Sequence, residues 1–131
     1  MITDLPVSEI MSKELILLDA EDSILEAEKT FRIHHLRHAP VISDGELSGM
    51  LSLTDLRGLT DNKTRQSLKV EDFMTPDPVG LQKDAPIGEL ANILVENEFH
   101  AVPILDGPQI VGIVSTTDLI RYLMEAVQSE D

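Results

Sequence analysis

Apolar positions fall along this chain in one order, and then in the same order again. A short apolar run at 15–18 predicts a strand. The polar stretch 19–23 then supplies a helix cap, and Ile24, Ala27, Phe31 and His35 follow at helical spacing, which predicts a helix ending near 34–36. His38-Ala39-Pro40-Val41-Ile42 reads as the next strand, with its proline near the start or at an edge. Asp44-Gly45 is a hairpin turn, 47–51 the return strand, and 53–59 a second helix. Residues 60–67 carry almost no apolar side chain and read as a linker. Beyond it the order recurs. An apolar run at 78–81 precedes a stripe of Ile87, Leu90, Ala91 and Leu94. A strand around Pro103, a turn at Asp106-Gly107 and a return strand at 110–114 come next, and a longer helix from Asp118 to about Val127 ends the series.

The two halves agree residue by residue at a fixed offset of 63. Pro40/Pro103, Gly49/Gly112, Ser52/Ser115, Thr54/Thr117, Asp55/Asp118 and Leu56/Leu119 are identical without a gap, and Val70-Glu71-Asp72-Phe73-Met74-Thr75 matches Val7-Ser8-Glu9-Ile10-Met11-Ser12. A tandem duplication is the economical explanation. It divides the chain into a first repeat, 1–62, and a second, 63–131. Each repeat holds about three strands and two helices, so its small sheet is expected to need its twin to cover one face.

The most repeated feature is Gly-x-x-Ser-x-Thr-Asp-Leu, at 49–56 and 112–119. It reads as a buried strand running into the first turn of a helix. Such a junction exposes unpaired backbone N–H groups and the positive end of the helix dipole, which suits an anion and phosphate above all. The same residues have a purely structural reading, since Ser-x-x-Asp is close to a capping box in which both side chains satisfy backbone N–H groups. Both readings stand, and a cap can also hold geometry for a ligand.

Composition narrows the partners. Ten basic against 24 acidic residues give a net charge of −14, which argues against a nucleic-acid surface and against anionic membranes. Aromatic residues make up 3% with no tryptophan, so stacking platforms for single strands are missing. There is no cysteine, which fits a reducing compartment, and the N-terminus lacks the features of a signal peptide. A soluble, cytoplasmic protein is expected. His34, His35 and His38 raise a zinc reading, with His34 and His38 spaced i, i+4. The helix is expected to end there and no Cys or paired carboxylate completes a ligand set, so no metal is assigned.

Val-x-x-x-Met-(Ser/Thr), the apolar-Pro-apolar strand and Gly-x-x-Ser-x-Thr-Asp-Leu, each present twice, resemble the cystathionine-beta-synthase (CBS) domain, and the pair resembles a Bateman module from about Val7 to Met124. The resemblance implies an α/β (α+β) fold of tandem β-α-β-β-α repeats packed as a pseudo-two-fold pair. It implies clefts that in many relatives bind adenosine ligands such as AMP, ADP, ATP or S-adenosylmethionine. By resemblance Asp55 and Asp118 accept the ribose hydroxyls, a task suited to an ionised carboxylate. Ser52 and Ser115 lie where phosphate is held, and Thr54 and Thr117 are placed among the ligand-binding residues. Arg37 and His100 occupy equivalent positions three residues before the strand proline, where a basic residue faces phosphates in some relatives, and His38 follows Arg37. A solvent-facing polar residue at a helix-to-strand turn is the alternative for these.

Relatives often place a threonine in the first strand of each repeat, and here those positions are Leu17 and Gly80. Leu17 is expected to narrow one cleft, whereas Gly80 leaves room or lets a backbone amide approach a ligand. The expected function is therefore a stand-alone regulatory pair that binds an adenine nucleotide and signals to a separate, unidentified protein. A homodimer is expected as well. No Cys–His pair, Walker loop or paired acid and base points to an enzyme. The alternative function is a protein–protein interaction module whose clefts stay empty.

Overall fold

The computed structural model describes residues 2–59, 61–96 and 100–129. The chain is a mixed α+β fold, with two small sheets and four helices among the described residues, gathered in two compact units. One unit comprises Ile16–Pro78 and the other Met1–Leu15 together with Val79–Asp131.

In the unit 16–78, β1 (Leu18–Asp19) pairs in parallel with β2 (His38–Ser43), which pairs antiparallel with β3 (Glu46–Ser52). The predicted first strand thus shortens. Leu18 and Asp19 have partners in Val41 and Ile42, while 15–17 belong to no strand. Helix α1 (Ile24–His34) starts where Ser23 Oγ accepts the Glu26 N–H at 3.1 Å and ends at His35, which adopts the left-handed conformation. Its stripe of Ile24, Ala27 and Phe31 joins Ala39, Val41 and Leu51 from the strands in one buried core. The Asp44-Gly45 turn has positive φ at both positions, as a tight hairpin demands.

Two expectations fail in this unit. The second helix predicted at 53–59 is one 3-10 turn, Leu53–Leu56. Arg57 is extended and Gly58 sits at φ +92, so the chain leaves the helix at once. The predicted linker is instead largely helical. Asp61 caps α2 (Asn62–Ser67) by accepting the Lys63 N–H and the Thr64 hydroxyl, each at 3.1 Å. Thr60, its first residue as predicted, lies outside the described residues. α2 buries no apolar residue. It is tied to α1 by an ion pair, Arg65 Nε lying 3.2 Å from Glu28 Oε1.

The other unit repeats the plan with β5 (Leu81–Gln82), α3 (Ile87–Glu96), β6 (Ala101–Asp106), β7 (Gln109–Ser115) and α4 (Thr116–Ser129). β5 is parallel to β6 and β6 antiparallel to β7, with register shifts at Val41/Ile42 and Ile104/Leu105 marking the same irregularity in both sheets. A clamp specific to this copy holds the hairpin: Gln82 Nε2 donates to the Gly107 carbonyl at 3.1 Å and Gln82 Oε1 accepts the Gly107 N–H at 3.0 Å. The space that Gly80 was expected to leave is filled, because a Cβ there would meet Leu105 Cδ1 at 3.1 Å and the Pro103 carbonyl at 3.2 Å.

The compact units cut the chain differently from the sequence repeats. Val70 is fully buried in the core of 16–78, and Phe73 and Met74 pack against it. Val7 is likewise buried among Ile87, Leu90 and Val114, with Ile10 and Met11 against them. Each opening Val-x-x-x-Met segment therefore completes the core built by the other repeat's strands. It closes the sheet too: β4 (Thr75–Pro76) pairs with Met50 and Gly49, and Ser12 bridges Ile113.

This arrangement explains the motif glycines. A Cβ on Gly49 would lie 2.9 Å from both Met74 Cγ and the Thr75 carbonyl, and one on Gly112 2.8 Å from Met11 Cγ. Gly49→Ala is expected to cost about 1–3 kcal/mol of stability by overpacking. Because a backbone oxygen stands in the way, adding Met74→Ala should recover little of this. At Gly112 the three nearest atoms all belong to the Met11 side chain, so Met11→Ala should relieve more of the overlap there. Urea unfolding of both double-mutant cycles checks this, and equal coupling in the two pairs would contradict it.

Candidate functional site

Strand pairing and one backbone hydrogen bond assemble the predicted residues into two local clusters. In the first, His38 on β2 faces Ser52 on β3. The Leu53 N–H, the first of the 3-10 turn, donates to the Arg37 carbonyl at 2.7 Å. In the second, Ala101 faces Ser115, and the Thr116 N–H donates to the His100 carbonyl at 2.9 Å. Arg37 and His38 are thus beside the Ser52–Asp55 turn, and His100 beside the Ser115–Asp118 turn. Arg37 and His100 are exposed. Gly80 joins neither cluster through these contacts and lies against Pro103 and Leu105. His34 and His38 share no helix face, since α1 ends at His34 and His38 begins β2.

Both turns are capped as the structural reading requires. Asp55 Oδ2 accepts the Ser52 N–H at 2.9 Å, and Asp118 Oδ2 accepts the Ser115 N–H at 2.9 Å. The box is reciprocal at both turns, since Ser52 Oγ reaches the third-position N–H as Ser115 Oγ does. Ser115 Oγ accepts the Asp118 N–H at 3.1 Å. Ser52 Oγ also accepts the Thr54 N–H at 3.3 Å and lies 2.8 Å from Thr54 Oγ1. Thr54 and Thr117 are exposed. Capping uses one carboxylate oxygen of each aspartate and leaves Oδ1 outside the box, able to accept from hydroxyls.

The helices that follow are unlike. α4 runs 14 residues, long enough for its dipole and first-turn N–H groups to favour an anion, whereas the turn after Ser52 has four. The second turn of α4 also holds a residue that the motif did not flag. Arg121 Nη1 lies 3.6 Å from Asp118 Oδ1, an i, i+3 acid–base pair that helical spacing alone would have indicated. At the equivalent place in the first repeat stands Gly58.

Among the described residues no helix is long and apolar enough to cross a membrane. α4 packs Leu119 and Tyr122 on its own core and leaves Ile120, Leu123, Met124 and Val127 as an apolar stripe exposed along one side.

The model of the CBS domain matches the chain twice, at residues 7–60 and 70–125. A CBS domain-containing protein of Methanocaldococcus jannaschii is 33% identical, over 88% of this chain and 93% of its own length. An L-aspartate semialdehyde sulfurtransferase of the same organism is 30% identical over 88% of this chain but only 22% of its own. The chain spans less than half the length of several curated relatives that it matches, 44%, 22% and 40% in three cases. Among solved structures, the CBS-pair protein CBSX2 of Arabidopsis thaliana superposes with a TM-score of 0.87 at 23% identity, over 96% of this chain and 99% of that one. The same protein in complex with AMP gives 0.83 at 23%, over 93% and 98%. The CBS domain pair of protein MJ0100, in complex with 5-methylthioadenosine and S-adenosyl-L-methionine, gives 0.79 at 26% identity, over 92% and 97%. With both copies matched and the fold shared from end to end, the chain belongs to the CBS domain family.

Proposed function

We propose that this chain is a regulatory, non-catalytic module that binds an adenosine-containing ligand at its Ser-x-Thr-Asp turns and signals to a separate protein. The ligands in view are AMP, ADP, ATP and S-adenosylmethionine. The observation that carries the reading is the paired arrangement at each turn. A carboxylate keeps one oxygen outside its cap, and Arg37 or His100 is hydrogen-bonded through its carbonyl to the first N–H of that turn. A diol acceptor thus stands beside a basic residue, which suits a nucleotide's ribose and phosphate. The AMP, methylthioadenosine and S-adenosylmethionine complexes of the structural relatives support the same ligand class.

Thermal shift against a panel of these ligands tests the proposal. A ligand that binds only the folded state, at a hundred times its Kd, stabilises by about 2.7 kcal/mol. In a domain of this size that raises Tm by roughly 5–15 °C. A panel in which no adenosine compound moves Tm overturns the proposal.

The exposed stripe of α4 favours a second element of the proposal, a homodimer. Ile120 and Val127 are 56% and 60% exposed, and with Leu123 and Met124 they follow the i, i+3, i+4, i+7 spacing of one helix face. The net charge of −14 opposes association most strongly at low salt. Light scattering at tens of micromolar protein and moderate salt should give the dimer mass, with Leu123→Asp shifting it to monomer. A wild-type chain that scatters as monomer counts against the dimer. If the dimer forms while no ligand binds, an interaction module with empty sites is the better account.

A further inference from the structure

We propose that the two turns are unequal receptors for a ribose, that Asp55 fills first, and that Arg121 sets the difference by holding the oxygen Asp118 would offer. This rests on the reading that ribose hydroxyls bind these aspartates. The cap treats both carboxylates alike, committing Oδ2 to a serine N–H at 2.9 Å in each. What differs is Oδ1. Asp118 Oδ1 has Arg121 Nη1 at 3.6 Å, and the Asp118 side chain is 28% exposed. Asp55 is exposed and carries no ion pair from a described residue. The sequence makes that difference permanent. The position three after Asp55 is Gly58, which has no side chain and at φ +92 has already left the helix.

A diol approaching Asp118 must displace or share the guanidinium, whereas at Asp55 it meets no paired guanidinium from a described residue. Arg121 is 64% exposed, so its hold is that of a surface ion pair, worth a few-fold in affinity and weakened by salt. Arg121 acts through Asp118 and is a positioning residue.

The experiment is calorimetric titration of the intact chain with adenosine, whose lack of phosphate removes any direct attraction to Arg121. The wild type should show two classes of site, about 2- to 5-fold apart, converging at high salt. Asp55→Asn should abolish the tighter class. Arg121→Gln should tighten the weaker class by about 2- to 5-fold and leave the tighter one unchanged, while Arg121→Lys, which keeps the charge, should stay near wild type. Circular dichroism of each variant confirms folding. Arg121→Gln that leaves the weaker class unchanged, or weakens it, overturns the inference, as does a tighter class abolished by Asp118→Asn instead of Asp55→Asn. If neither adenosine nor AMP gives heat with the wild type, the nucleotide reading itself fails and the inference falls with it. Binding in a single class defeats the inference alone.

Discussion

A fragment of residues 1–62, cut at the repeat boundary, is expected to be unfolded or aggregated, and a fragment of residues 16–78 to melt well above it. Both carry β1 to β3 and α1. The first lacks every residue that the second repeat's opening segment contributes to that core. It loses Val70, fully buried, and the packing of Leu68, Phe73 and Met74. It also loses backbone hydrogen bonds, among them Ile24 N–H to the Leu68 carbonyl, Val70 N–H to that of Asp22, Glu71 N–H to that of Ala20 and Asp77 N–H to that of Ser48. Burial of one valine contributes about 1.5–3 kcal/mol, and the hydrogen bonds about 1 kcal/mol each. The total rivals the whole stability of a chain of that length, roughly 3–9 kcal/mol. The same holds for 63–131, which lacks Val7 and the Ser12–Ile113 bridge. Thermal melts followed by circular dichroism decide the matter. A 1–62 fragment melting cooperatively at or above the midpoint of 16–78 would show that the opening segment is dispensable.

The elements readable from sequence were those whose cause is local. Helix α1 carries its own cap at Ser23 and its own stripe through Phe31, and the Asp44-Gly45 hairpin needs only two residues with positive φ. The duplication was legible too, since identity at a fixed offset needs no structure. What escaped was set by distant partners. The opening methionine and the motif glycine were both visible, but nothing in the sequence says that Met74 covers Gly49 and Met11 covers Gly112. Residues 60–67 read as a linker because they carry almost no apolar side chain, and what secures 61–67 is a cap and the Arg65–Glu28 pair, which hydrophobic periodicity does not register. The run at 15–18 was read as a strand from its apolarity, yet pairing begins only at Leu18. At the candidate site the neighbourhood of Arg37, His38, Ser52 and Asp55 emerged from the motif. Beside Gly80, the volume a Cβ would take belongs to the tertiary neighbours Leu105 and Pro103, which no local pattern announces.

Replacing Asp55 or Asp118 by alanine is expected to weaken an adenosine nucleotide at that turn by roughly 30- to 1000-fold, since a charged acceptor serving two hydroxyls contributes about 2–4 kcal/mol. The same change should cost on the order of 1 kcal/mol of stability, because each carboxylate also accepts the N–H of its capping serine at 2.9 Å. The two effects arise at different oxygens, so asparagine separates them. Its one carbonyl oxygen can keep the backbone N–H, and the amide nitrogen that replaces the second oxygen cannot accept a hydroxyl proton. Asp→Asn should therefore hold Tm close to wild type while losing most of the affinity that Asp→Ala loses. The stability cost of alanine should be the larger at Asp118, where the reciprocal Ser115–Asp118 box anchors a 14-residue helix, than at Asp55, where one 3-10 turn follows. Calorimetric affinity and Tm, measured together on each variant, make the comparison. Affinity unchanged in both asparagine variants, with Tm lowered in both alanine variants, would leave these aspartates as caps alone and remove the ribose from the site.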